Sequence, residues 1–160
     1  MVDIAERTRR GRMIALLGTL AVLSYGLLAA LQIAVLNPLA AVPGKELAQI
    51  YADAASAGQP MGAGWLFMAV GPVTAVAIML WAWKQLELEP SRIALTYVAL
   101  VALGAPAYFF ASFGPGMALA DTYMISGGDY SPWAMPLYVA SGLAVIAIVV
   151  QRVWHRTRLR

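Results

Sequence analysis

Met13–Leu36 reads MIALLGTLAVLSYGLLAALQIAVL, 24 residues without Asp, Glu, Lys or Arg. A helix rises about 1.5 Å per residue, so this run reaches roughly 36 Å and can cross a hydrocarbon core of about 30 Å. Three more runs share its character, and together they predict spans of about 13–36, 61–83, 93–113 and 133–153. Within the last, the charge-free part is Trp133–Val150. Runs of this length fit helices rather than the alternating strands of about 10 residues that build a membrane barrel. The expected fold is all-α: a single four-span integral membrane bundle over residues 1–160, with loops 37–60 and 114–132 on one side.

Composition agrees. Apolar residues make up 61% of the chain, charged residues 12%, and the mean hydropathy is +0.72. A soluble domain carries about 25% charged residues, so too few are present here to cover a soluble fold. The absence of cysteine excludes disulfides, thiolate metal sites and thiol nucleophiles, and the lone His155 excludes paired-histidine haem or metal ligation. No metal site and no cofactor is expected. His155 itself, set among arginines, reads as an interfacial residue.

The charges give an orientation. With the amino terminus in the cytoplasm, Arg7, Arg9, Arg10, Arg12, Lys84, Arg92, Arg152, Arg156, Arg158 and Arg160 all fall inside, and only Lys45 falls outside. The inner sum is +6 and the outer sum −3, which recover the net charge of +3. The positive-inside rule favours this N-in/C-in arrangement. Arginines at both termini should attract anionic lipid on the cytoplasmic face. No basic patch is interleaved with stacking aromatics, so nucleic acid is not an expected partner. Trp65 and Trp133 mark outer ends of spans, and Trp81, Trp83 and Trp154 inner ends. The basic flank resembles a secretory signal, but its apolar run is too long for one and predicts an uncleaved signal-anchor. The expected location is a bacterial inner membrane or plasma membrane.

Between spans two and three, Lys84 to Arg92 is too short for a domain and predicts antiparallel neighbours. In the first outer loop, Leu47, Ile50, Tyr51 and Ala54 recur at helical spacing and Gly58 follows as a stop, which predicts a short amphipathic helix on the outer interface. In the second, Gly114-Pro115-Gly116 is expected to end span three, while Asp129 or Ser131 is placed to cap span four.

No ionisable acid or base lies inside a span, which argues against ion-coupled transport. Gly18, Tyr25 and Gln32 recur every seven residues and share a face, drifting by about 20° per heptad. They read as helix-packing residues or as the wall of an apolar ligand cavity, with Pro72 and Pro106 as interruptions that open space between helices. The candidate catalytic groups are the outer acids Glu46, Asp53, Asp121 and Asp129 with Tyr123 and Tyr130, which would line one pocket if the two loops fold together. Three functions follow. The first is a non-catalytic accessory, assembly or docking subunit, held by other membrane subunits or by copies of itself. The second is a membrane enzyme acting on a lipid or other apolar substrate through the outer carboxylates. The third is a small oligomeric carrier or channel for a neutral solute.

Overall fold

In a hydrocarbon medium an apolar run must pair every backbone N–H and C=O internally, and the helix does so within one segment. The computed structural model describes residues 4–59, 61–62 and 65–158, which are helical over most of their length with no strand among them. The side chains of Trp65, His155 and Arg158, with Asp3 and Arg160, lie outside the described set. Four stretches are long and apolar enough to cross a membrane: Ile4–Ala41, Leu66–Lys84, Pro90–Tyr123 and Pro132–Trp154. Large apolar side chains such as Leu17, Leu20, Phe110 and Ile146 point outward. Helices apolar all round, and mostly unburied by their own chain, are those of a multi-pass membrane bundle.

The first stretch comprises α1 (Ile4–Leu31), a π-turn (Gln32–Leu36) and α2 (Asn37–Ala41). Helix therefore extends past both ends of the 13–36 run. After α3 (Leu47–Ser56) come α4 (Trp65–Lys84), α5 (Pro90–Ala102), α6 (Gly104–Tyr123), a 3-10 turn (Pro132–Ala134) and α7 (Met135–Arg158). Gly58, at φ +74°, closes α3: its N–H donates to Ala55 O at 3.0 Å and Gln59 N–H donates to Ala54 O at 2.8 Å. That bond pair is a Schellman stop, and it needs a left-handed residue at the glycine.

Three expectations are corrected. Helix does not stop at Gly114-Pro115-Gly116 but continues to Tyr123. Gly116 is there for closeness instead, since a Cβ on it would lie 2.7 Å from the Gly127 carbonyl oxygen. Pro106 is not a mid-helix interruption; it falls in the first turn of α6, after the break at Leu103. Finally, the helices joined by the short turn are not close neighbours along their length. α1 lies between α4 and α5, and the second and third stretches meet mainly where α4 reaches α6.

α1 is thus the central helix. One cluster packs Ala15 and Val22 against Ala75 and Ala82 of α4 and Ile93 and Tyr97 of α5. A second packs Ala29 and Ile33 against Tyr108, Ala111 and Leu137. Small residues at these contacts let helix axes approach closely, which is how helices adhere where lipid is as apolar as leucine. At the end bearing the two long connections, a third cluster joins Ile50 and Ala54 of α3 to Ala118 and Leu119 of α6. α3 therefore packs on protein through its apolar face.

Candidate functional site

The face shared by Gly18, Tyr25 and Gln32 is one on which the first stretch meets its partners, level by level. At Gly18 the Tyr97 ring occupies the space a Cβ would take. Beside it the Tyr97 hydroxyl lies 2.8 Å from Thr19 Oγ1, and both hydroxyls reach the Ala75 carbonyl, at 3.0 and 3.1 Å. One level on, Tyr25 O–H is 3.1 Å from Ser141 Oγ and donates to Leu137 O at 3.3 Å. Gly104 makes room for that ring: a Cβ there would lie 2.5 Å from Tyr25 Cζ.

Ser141 also repairs the break between α5 and α6. Its hydroxyl donates to Val101 O at 2.8 Å and accepts from Ala105 N–H at 3.0 Å, standing between two groups that an unbroken helix would join directly. Pro106 has no N–H to offer the next carbonyl back. Pro72 lies inside α4, where Gly26 of α1 receives it closely. Between Pro72 and the break at Leu103 is a lateral, almost wholly apolar cavity of about 120 Å³, walled by residues including Tyr25, Phe67, Gly71, Pro72 and Gly104.

At Gln32 the side chain is fully buried; its Nε2 donates to Ser131 O at 3.4 Å while Oε1 has no hydrogen-bond partner among the described residues. Asn37, one turn on, staples the second connection. Its Oδ1 accepts from Tyr130 N–H at 2.7 Å and Ser131 N–H at 3.3 Å, and its Nδ2 donates to Gly128 O at 3.4 Å. Ser131 caps the following 3-10 turn by accepting from Trp133 N–H at 3.4 Å. Asp129 makes no cap. Its Oδ1 accepts from the hydroxyl of the fully buried Tyr108, and its Oδ2 accepts from Tyr138 O–H at 3.1 Å. The two rings stack edge to face at 5.6 Å. Tyr130 turns its hydroxyl to Ser126, 3.0 Å from the backbone N and 2.9 Å from Oγ.

Asp53 forms a second, separate cluster on α3. It pairs with Lys45 and accepts from Tyr123 O–H at 2.9 Å, and the Lys45 ammonium lies 4.9 Å over the Tyr123 ring. The Lys45 ammonium and the Tyr123 hydroxyl hold the Asp53 carboxyl below its ordinary range, and the hydrogen bond to Asp53 in turn raises Lys45. Glu46 and Asp121 are exposed. Glu46, Asp53, Asp121 and Asp129 are thus not brought together, and among the described residues no group of three or more His, Cys, Asp or Glu is placed to hold a metal. Asp53 is held by Lys45 and Tyr123 and Asp129 by Tyr108 and Tyr138, two clusters that share no residue.

The partners that sequence reasoning missed are Asn37, Tyr97, Tyr108, Tyr138 and Ser141. A signal was present: a hydroxyl or amide within an apolar run has to find a partner on a neighbouring helix. Which partner it finds depends on tertiary packing.

No protein-family model, curated protein or solved structure matches this chain.

Proposed function

We propose that this protein is a non-catalytic membrane subunit that assembles with or docks other membrane proteins. The observation that carries this reading is the use made of the polar groups. Thr19, Tyr25, Tyr97 and Ser141 are all engaged in bonds between helices, while the acids that would do chemistry are dispersed. A bundle tied internally in this way presents an apolar exterior to its surroundings. On α7, Val139, Leu143, Ile146, Val150 and Val153 are exposed at alternating spacings of four and three, a pattern that accepts another helix by knobs-into-holes packing.

In this reading the end carrying the terminal arginines faces the cytoplasm of a bacterial cell, where each charge near an anionic surface adds roughly 1 kcal/mol of attraction. α3 then lids the opposite face. Because the chain lacks cysteine, single cysteines placed at Ser56 and Thr157 report the orientation. An impermeant maleimide added outside intact cells is expected to label the first and spare the second; the reverse pattern overturns it.

The subunit reading is tested by affinity purification in mild detergent. A stoichiometric partner, lost on Leu143→Arg but with the thermal midpoint kept, supports it. A stable lone monomer counts against it.

A further inference from the structure

Asp129 has a phenol donor on each carboxylate oxygen and no cation. Among the described residues the ion pairs are Arg7–Glu89 and Lys45–Asp53, and neither reaches it. Next to it is an open pocket of about 250 Å³, walled by Tyr130, Tyr138, Ser131, Pro132 and Met135. The carboxylate is held in place without help from a ligand. Tyr108 is buried beneath it, and Asn37 and Gln32 pin the backbone of the next two residues.

The chain itself contains a filled version of this arrangement. At Asp53 a carboxylate accepts from a tyrosine hydroxyl, and an ammonium pairs with that carboxylate while lying over the same tyrosine ring. Asp129 offers the same three components, carboxylate, bound phenol and ring, and among the described residues no lysine or arginine pairs with it. An ionised carboxylate has about four acceptor positions, so about two remain after Tyr108 and Tyr138 have donated. Tyr130 and Tyr138 line the pocket beside it, and an aromatic ring face attracts a cation and not an anion.

We propose that the Asp129 pocket binds the ammonium group of an amine-bearing ligand, with Asp129 pairing the charge and Tyr130 and Tyr138 walling it. The pocket lies where the fourth apolar stretch begins, at the depth of lipid headgroups. An aminophospholipid headgroup and a free small amine both carry the required chemistry. Because the site is pre-organised, little ordering cost is left for binding to meet.

The test is thermal unfolding of the whole protein in nanodiscs of phosphatidylglycerol alone, with phosphatidylethanolamine added, or with soluble glycerophosphoethanolamine titrated in. A ligand that binds the folded state raises the midpoint with concentration. The expected result is a saturable rise with an ethanolamine probe; a rise with the lipid only assigns the membrane as source, and a rise with both admits the free amine. Asp129→Asn and Tyr138→Leu should each weaken the response by about tenfold or more, corresponding to loss of a charge-assisted or ring contact. Asp121→Asn should leave it intact. No saturable rise in the wild type, or an unchanged response in Asp129→Asn, overturns the proposal.

Discussion

Met124 holds a left-handed backbone, φ 55°, at the end of α6, where Ile125 N–H donates to Ala120 O at 3.3 Å. Gly58 ends α3 in the same conformation at no steric cost. Met124 is also 90% exposed, so its side chain gains nothing from burial there. Met124→Gly should therefore stabilise the fold by about 1 kcal/mol, measured by thermal unfolding in detergent. The reverse holds where glycine makes room for a ring: Gly104→Ala should cost about 1–3 kcal/mol by driving a methyl into Tyr25. At Asp53 the prediction concerns pH. Its carboxyl is held below the ordinary range, so the stability it lends is present above that range and is lost as pH falls through the lowered value. Lys45 is raised, so its share is present below the ordinary lysine range and is lost only as pH climbs past the raised value. The protection of α3 amides, taken relative to the intrinsic exchange rate at each pH, should fall on strong acidification and again in strong alkali, and Asp53→Asn should remove the acid limb.

For the elements, the notable device is a serine of α7 completing the hydrogen-bond ladder between α5 and α6. Ser141→Ala would leave Val101 O and Ala105 N–H facing each other across a gap, at a cost of about 1–3 kcal/mol. Combining it with Tyr25→Phe should cost less than the sum of the two, because both act on one network; strict additivity in a double-mutant cycle would refute that coupling. The positions of the four apolar runs, the Gly58 stop and the common face of Gly18, Tyr25 and Gln32 were legible in the sequence, since length, periodicity and backbone preference are local properties. The continuation of α6 through Gly114-Pro115-Gly116 was not. Those residues usually punctuate a chain, and only the approach of Gly127 shows that this glycine serves packing. Nor could the partners of Asp129 be read, because Tyr108 and Tyr138 come from two different helices.

Across the whole molecule, α1 ties the others together from one end to the other. Thr8 donates to Leu86 O at 3.0 Å, and Arg12 donates to Trp83 O at 3.1 Å and Gln85 O at 3.0 Å, satisfying carbonyls at the end of α4. Arginine at a helix C-terminus also meets the negative end of the dipole. Arg12→Ala should thus expose the Gln85–Glu89 turn to proteolysis in detergent while leaving the opposite end protected; uniform loss of protection would contradict it. The π-turn of this same helix has a further consequence. It inserts one residue into an otherwise regular spiral, and the Ala34 carbonyl, whose partner four residues on would be Pro38 with no N–H, accepts from Tyr51 O–H at 3.0 Å. Each residue of an α-helix advances the azimuth by about 100°. The extra residue is taken up within one turn, so Asn37 emerges at nearly the azimuth that four α-helical steps from Gln32 would give; deleting Val35 should therefore straighten the helix and leave Asn37 facing the Tyr130 loop it clasps.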